Sequence, residues 1–258
     1  MKVGILAGGM GTRLAEETTR CPKPMVEIGG QPILWHIMKH FAHYGHGDFA
    51  VALGYMGNYI KKYMMDFASM QGNLMVNVGD GNIHRDAKKT EDWNVALIET
   101  GLKTGSGGRV KRMAPHLGDG TFMLTHGDGV SDVNIDDLLA FHRAHGRLAT
   151  VTAVRPPARF GKLTLEDSRV AQFSEKPQID AGWINGAYFV MEPGVFDYIE
   201  GDETMLERAP LERLSADGQL FAYKHESFWQ CMDTLRDKKL LERMWETGEA
   251  PWKIWENH

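Results

Sequence analysis

The chain has 258 residues, of which 43% are hydrophobic, and a formal net charge of -5 at neutral pH. This length supports one substantial core, and the acidic balance argues against nucleic acid as a partner. The mean hydropathy of -0.34, the absence of a long apolar run and the presence of only two cysteines predict a cytoplasmic protein that does not associate with a membrane.

The first turn of the chain has the composition of a phosphate-binding loop. Residues 3–7 predict a buried strand, and the sequence GGMGTR follows at 8–13. Glycines let the backbone approach a ligand closely, successive N–H groups suit a phosphate, and arginine adds a planar cation. The run lacks the Lys-Ser/Thr ending of Walker A and the spacing of a dinucleotide fingerprint. A tight strand-to-helix turn without a ligand is the alternative interpretation.

A second basic element follows closely. Lys23 lies between Pro22 and Pro24, which stiffen the backbone on both sides. Holding a long, flexible cation in one place is useful where it must meet a ligand. Lys23 is therefore predicted to contact one.

The order of the predicted elements indicates an α/β fold. Residues 32–41 have apolar side chains at helical spacing, residues 48–53 form a predicted strand, and residues 58–67 form a second predicted helix. This rhythm predicts a Rossmann-like, mixed but mostly parallel sheet with helices on both faces. Ligands of such sheets bind beyond the carboxyl ends of the strands, where the glycine run lies.

The segment 68–110 interrupts this rhythm. Residues 74–78 and 94–100 look like strands, and the polar, glycine-punctuated residues 79–92 between them are expected to be mobile. We therefore expect one domain, 1–258, in which 68–110 is an insertion that is either mobile or oligomer-forming.

The run TGSGGR at 104–109 repeats the glycine, hydroxyl and arginine chemistry of the first turn. We interpret it as a second nucleotide-contacting loop because Arg109 follows the glycines directly. A flexible loop ahead of a helix is the alternative.

Two aspartates stand at the ends of apolar runs. Asp128 lies between two glycines after a predicted strand, and Asp233 precedes a predicted helix. Mg²⁺ bound to phosphates usually takes one or two protein carboxylates, so the pair is interpreted as one shared metal site. The alternative is that each aspartate caps the element that follows it, as Asn134 is predicted to do for the helix after it.

Polar residues in the last part of the chain have the chemistry of a site for a hydroxyl-rich ligand. Glu175 follows a predicted hairpin, and Asn185 lies in the polar first half of a predicted strand. Both side chains provide the hydrogen-bonding groups that such a ligand needs. Taken alone, each is an ordinary turn or strand-end residue.

Taken together, these motifs resemble those of the sugar-1-phosphate nucleotidylyltransferases. The family's order is matched by residues 6–14, PKPM at 22–25, GDG at 127–129, EKP at 175–177, NG at 185–186 and Asp233. The runs PILWH at 32–36 and WQCMDT at 229–234 are similar to those of its cytidylyl branch. The likeness covers essentially the whole chain, and it implies a fold of the nucleotide-diphospho-sugar transferase type.

The resemblance implies that CTP and α-D-glucose 1-phosphate react to give CDP-glucose and pyrophosphate. The sugar phosphate would attack the α-phosphorus in line, with Mg²⁺ as cofactor and no covalent intermediate. Such catalysis depends on positioning and charge neutralisation. The resemblance also implies a homo-oligomer, expected to be a hexamer.

The resemblance further implies a role for each site residue. Arg13, Lys23 and Asp128 would be catalytic: Arg13 would hold the leaving pyrophosphate and Lys23 would bridge phosphate oxygens. Asp128 and Asp233 would hold the metal ion. Thr104 and Arg109 would contact the nucleotide, within a subunit or across a subunit boundary. The full nucleotide-binding set is Leu6, Ala7, Gly8, Gly9, Gly11, Thr12, Arg13, Lys23, Thr104, Arg109, Gly127 and Asp128, and the sugar-phosphate set is Gly161, Glu175, Lys176, Asn185 and Gly186.

Two alternatives stay open at this point. The same chemistry could use UTP or dTTP, or another phosphorylated acceptor. The chain could also be a non-catalytic, nucleotide-sugar-binding regulatory subunit. Such subunits tend to lose the phosphate-binding arginine, the lysine or a metal-binding aspartate, and all of these residues are present here.

Overall fold

The computed structural model describes residues 1–86, 91–156, 162–166, 169–174 and 182–255. The strands are β1 (Lys2–Leu6), β2 (Glu27–Ile28), β3 (Gln31–Pro32), β4 (Asp48–Leu53), β5 (Asn73–Val76), β6 (Ile83–Asp86), β7 (Asn94–Glu99), β8 (Phe122–His126), β9 (Gly129–Ser131), β10 (Ala149–Val154), β11 (Lys162–Glu166), β12 (Arg169–Ser174), β13 (Ile184–Met191), β14 (Leu220–His225) and β15 (Trp229–Cys231). The helices are α1 (Ala15–Thr18), α2 (Ile33–His43), α3 (Gly57–Ser69), α4 (Ser106–Leu117), α5 (Ile135–His145), α6 (Ala209–Ala216) and α7 (Leu235–Glu246).

Seven strands form a central sheet in the order β14-β10-β13-β8-β1-β4-β7. Strand β13 runs antiparallel to both of its neighbours, and the other adjacent pairs are parallel. The predicted mixed, mostly parallel sheet is therefore confirmed. Because β1 lies between β4 and β8, the glycine run after β1 stands at the carboxyl edge, close to the middle of the sheet.

The two faces of the sheet are covered by separate apolar clusters. Side chains of β1 alternate, so that Val3 and Ile5 pack on the face that carries α2, α5 and α7. On the opposite face, Leu124 of β8 packs with Val110 and Met113 of α4. Helices therefore cover both faces, as predicted.

Helix ends follow the expected chemistry. Helix α2 starts directly after Pro32, and α5 is capped by Asn134, whose side chain accepts a hydrogen bond of 3.1 Å from the backbone N–H of Asp137. Gly146 ends α5 in a left-handed conformation, at φ 59°. In the part of the chain that the structure describes, no helix has the length and apolar character needed to cross a membrane.

The prediction for segment 68–110 is partly wrong. Strand β7 belongs to the central sheet, parallel to β4, and α4 packs against β1 and β4. What stands apart is the hairpin of β5 and β6, which pair with each other. Strand β6 was hidden by its charged residues, and it forms because a turn with Gly81 at φ 75° reverses the chain. Whether this hairpin is mobile or oligomer-forming stays a prediction.

Candidate active site

A cavity of about 740 Å³ opens at the carboxyl edge of the sheet. It is bounded by the turn after β1, the segment before α4 and the end of β8. The structure brings every residue predicted to bind the nucleotide to this one cavity: Leu6, Ala7, Gly8, Gly9, Gly11, Thr12, Arg13, Lys23, Thr104, Arg109, Gly127 and Asp128 all line it.

The turn after β1 lines this cavity with glycine backbone. Gly11 adopts the left-handed conformation at φ 62°, and the carbonyl of Gly8 accepts a hydrogen bond from Tyr55, N···O 3.1 Å. Among the described residues, no acceptor contacts the N–H groups of Gly8, Gly9 or Gly11. Because an unpaired backbone donor needs water or a ligand, this turn is suited to an anion.

Gly8 is required for a close contact beneath the turn. A Cβ there would lie 2.6 Å from Cζ of Arg109 and 3.0 Å from the backbone nitrogen of Gly54, whereas a Cβ on Gly9 would meet nothing within 4 Å. We expect Gly8→Ala to lower the free energy of unfolding by about 1–3 kcal/mol, the usual penalty for overpacking. Gly9→Ala is the matched control and should unfold like the parent in urea. Equal stability of the two variants would contradict this packing.

Lys23 joins the two aspartates that the sequence places far apart. Lys23 is the first residue of a 3₁₀ turn, Lys23–Met25, and its side chain is buried. Its Nζ lies 2.5 Å from Oδ2 of Asp128 and 2.6 Å from Oδ1 of Asp233. Burial lowers the pKa of Lys23, but the charges and hydrogen bonds of Asp128 and Asp233 raise it above its ordinary value. The ammonium is therefore charged.

A small two-stranded sheet explains how the aspartates meet. Strand β9 follows Asp128 and β15 precedes Asp233, and the two strands pair so that Gly129 lies opposite Cys231. The backbone N–H of Met232 also donates to the carbonyl of Asp128 at an N···O distance of 2.8 Å.

Asp233 itself is not the cap of α7. The cap is Thr234, which forms a capping box with Asp237, and Asp237 also accepts a hydrogen bond of 3.1 Å from the backbone N–H of Asp233. The side chain of Asp233 is therefore free to contact Lys23 and Arg13, whose Nη1 lies 2.6 Å from Oδ2. Burial raises the pKa of Asp233, but Lys23 and then Arg13 lower it below its ordinary value, so the carboxylate is ionised.

The two carboxylates have the chemistry of a partial site for a divalent metal ion that binds together with phosphates. Mg²⁺ typically takes one or two protein carboxylates and completes its octahedral shell with phosphate oxygens and waters. The described residues contain no cluster of three or more His, Cys, Asp or Glu side chains that could hold a metal ion. A nucleotide would have to supply the remaining ligands.

The interpretation of residues 104–109 as a glycine loop is wrong. Helix α4 begins at Ser106, so Arg109 lies inside a helix. The glycines permit close packing: a Cβ on Gly108 would lie 2.7 Å from Cα of Asp202. The guanidinium of Arg109 donates to the carbonyls of Leu53 and Leu102, and it is 5% exposed. Nucleotide contacts by Arg109 and Thr104 stay predictions.

The sugar-phosphate set divides into two groups. Asn185 and Gly186 lie at the start of β13, which is at the same edge of the sheet as the glycine turn. Asn185 is exposed, while Gly186 is buried where a Cβ would lie 2.9 Å from the carbonyl oxygen of Thr152. Gly161, Glu175 and Lys176 lie outside the described residues.

Sequence reasoning missed a chain of polar contacts on the cavity wall. Ser106 Oγ donates to Oε2 of Glu207 at 2.5 Å, and Oε1 lies 3.1 Å from Nε2 of His126, although without the angle of a hydrogen bond. Burial raises the pKa of Glu207, but His126 and Ser106 lower it to about 2. Burial lowers the pKa of His126, but Glu207 and Asp128 raise it. The available sequence signal was a histidine directly before the GDG motif.

Comparisons with known proteins identify the family and the fold of the chain. The sequence profile of the family described as "Nucleotidyl transferase" matches residues 2–234. The glucose-1-phosphate cytidylyltransferase of Salmonella typhi is 48% identical over 99% of this chain and all of its own length. The probable glucose-1-phosphate cytidylyltransferase of Bacillus subtilis is 42% identical with the same coverage. The fold is similar to that of HddC from Yersinia pseudotuberculosis complexed with GMP-PN, at a TM-score of 0.71 and 20% identity over 95% of this chain and 99% of that one.

Proposed function

The chain belongs to the nucleotidyl transferase family, and we propose that it transfers the cytidylyl group of CTP to α-D-glucose 1-phosphate. The products are CDP-glucose and pyrophosphate. Full-length similarity to two glucose-1-phosphate cytidylyltransferases, at 48% and 42% identity, supports this choice of substrates. The observation that carries the chemistry is the contact of one buried lysine with two carboxylates beside a turn of unused amide hydrogens.

Each residue of the site has a proposed role in an in-line displacement at the α-phosphorus. The N–H groups of Gly8, Gly9 and Gly11 would bind the triphosphate, and Arg13, whose side chain is 74% exposed, would hold the leaving pyrophosphate. Lys23 would neutralise charge on the phosphate oxygens at the reacting centre. Because phosphoryl-type transfer needs little covalent help from the protein, positioned positive charge is the main contribution expected.

A magnesium ion is the expected cofactor. Asp128 and Asp233 would hold it, and it would neutralise phosphate charge when bound. Their shared contact with Lys23 supports this proposal because one ammonium already bridges both carboxylates. The ammonium would then turn from the carboxylates toward phosphate oxygens.

The sugar phosphate would bind beside the nucleotide. Asn185 and Gly186 lie at the same edge of the sheet as the glycine turn, which supports this role. We retain Glu175, Asn185 and Gly186 as ligands of the sugar hydroxyls and Lys176 as a ligand of the sugar's phosphate. Gly161 remains a further member of the sugar-phosphate set.

The assembly is proposed to be a homo-oligomer, with a hexamer as the expected size. Large apolar side chains on α3 and on the β5–β6 hairpin support it, since Met65, Met75 and Val78 are 70%, 72% and 92% exposed. A cytoplasmic location is proposed because Cys21 and Cys231 are both unpaired.

A competition assay tests the reaction and its alternatives. We expect pyrophosphate release from CTP, Mg²⁺ and glucose 1-phosphate, and a lower rate with UTP or dTTP at equal concentration. A clear preference for UTP or dTTP would support nucleotidyl transfer as the reaction but would show that CTP is not the preferred substrate. Calorimetric binding of CDP-glucose without turnover of any nucleoside triphosphate would instead identify a regulatory subunit.

A further inference from the structure

Several residues of the cavity wall are not used by the phosphate chemistry proposed above. The turn amides, Arg13 and Lys23 concentrate positive charge near the aspartates. The rest of the wall includes the apolar Leu6 and Met205 beside Ser106, His126 and Glu207. A nucleobase has apolar faces and a polar edge, so these residues have the matching composition.

The polar groups among these residues contact one another in succession. The backbone N–H of Leu206 donates to Oγ of Ser106 at an N···O distance of 2.9 Å, and Ser106 Oγ donates to Glu207 at 2.5 Å. Glu207 in turn lies 3.1 Å from Nε2 of His126, and both of these facing atoms are buried.

The Glu207 carboxylate faces one nitrogen of the histidine ring. A carboxylate on one ring nitrogen sets the orientation of an imidazole and the role of its other nitrogen. Because Nε2 is turned toward Glu207, Nδ1 is the nitrogen left for a ligand. His126 also belongs to the same strand end as Asp128, which places it next to the predicted metal site.

We propose that His126 contacts the base of the bound nucleotide and that Glu207, supported by Ser106, is the positioning residue for it. The proposal rests on the proposed function, since it requires the triphosphate to occupy the glycine turn. Cytosine carries an amino donor where uracil carries a carbonyl acceptor. With Nε2–H toward Glu207, Nδ1 is an acceptor. An acceptor at that edge pairs with the amino group of cytosine and not with the carbonyl of uracil, so it distinguishes CTP from UTP.

The test compares His126→Ala and Glu207→Gln with the parent in binding CTP, UTP and tripolyphosphate, which has no nucleoside. We expect the dissociation constant for CTP to rise about tenfold in both variants, the usual effect of losing one or two polar contacts. Tripolyphosphate should bind as tightly as before. The ratio of kcat/KM for CTP to that for UTP should fall in both variants, while KM for glucose 1-phosphate stays unchanged.

His116→Ala, at an exposed position of α4, and Glu203→Gln, also exposed, are the matched controls. His126→Ala leaves the Ser106–Glu207 hydrogen bond in place, so it tests the proposal even if Glu207→Gln unfolds. Equal weakening of CTP and tripolyphosphate, unchanged CTP binding or an unchanged CTP to UTP ratio would each overturn it. Failure of the proposed function is a different result, namely no pyrophosphate release by the parent protein with any nucleoside triphosphate.

Discussion

Replacing Lys23 by methionine is expected to reduce pyrophosphate release from CTP by roughly 10²–10³-fold, the size of effect seen when one preorganised charge-stabilising donor is removed. Methionine keeps much of the apolar stem and removes the ammonium. The side chain of Lys23 is 8% exposed and touches both Asp128 and Asp233, so in the variant these carboxylates lose the cation they share. Activity and folded-state stability should therefore fall together.

Adding Mg²⁺ distinguishes the loss of activity from the loss of stability. In the parent, the ion must compete with an ammonium already bound to both carboxylates, whereas in Lys23→Met it would relieve their repulsion. Mg²⁺ should therefore raise the thermal unfolding midpoint of Lys23→Met more than that of the parent, without restoring turnover. Lys62→Met, at an exposed ion pair of α3, is the control and should behave like the parent. Near-normal turnover in Lys23→Met would contradict the proposed role of Lys23 at the reacting centre.

The elements that could be predicted from the sequence are those specified by local pattern. Strand β1 and the turn after it are contiguous, so one stretch of chain contains the strand, the glycines and Arg13. The cap at Asn134 is equally local. Asp128 and Asp233 were found because each ends an apolar run, a signal that needs no knowledge of the fold.

The contacts that assemble the site could not be predicted in this way. Lys23 is separated by 105 residues from Asp128 and by 210 from Asp233, so no local periodicity reports their meeting. The β9–β15 sheet that joins them has three residues in each strand, which is too short for a pattern to be recognised.

The prediction for residues 104–109 was wrong because two different structures have the same amino-acid composition. Glycines before Arg109 suit a ligand-binding loop and a closely packed helix equally well, and the choice depends on the backbone near Asp202, a distant segment. Ser106, Glu207 and His126 were missed for a related reason. Each is an ordinary polar residue until the fold of the chain brings the three side chains into contact.

Replacing Asp128 by asparagine is expected to lower turnover by at least about 10²-fold, or roughly 2.7 kcal/mol of transition-state stabilisation. Asparagine has nearly the same shape, so the backbone bond from Met232 and the pairing of β9 with β15 should remain. The lost charge weakens a proposed metal ligand, and half-maximal activity should therefore require more Mg²⁺. Asp119→Asn, in an exposed turn after α4, is the control and should leave the Mg²⁺ dependence unchanged.

The double variant Asp128→Asn/Asp233→Asn decides whether the two carboxylates serve one ion. Residues that act as a unit are strongly non-additive, because the first loss already removes most of what the pair supplies. Both carboxylates contact the same ammonium, so their coupling is expected to be large. The double variant should lose much less activity than the product of the two single losses. Two losses that multiply would mean that the aspartates act independently, and the shared magnesium site would be contradicted even if both single variants were strongly impaired.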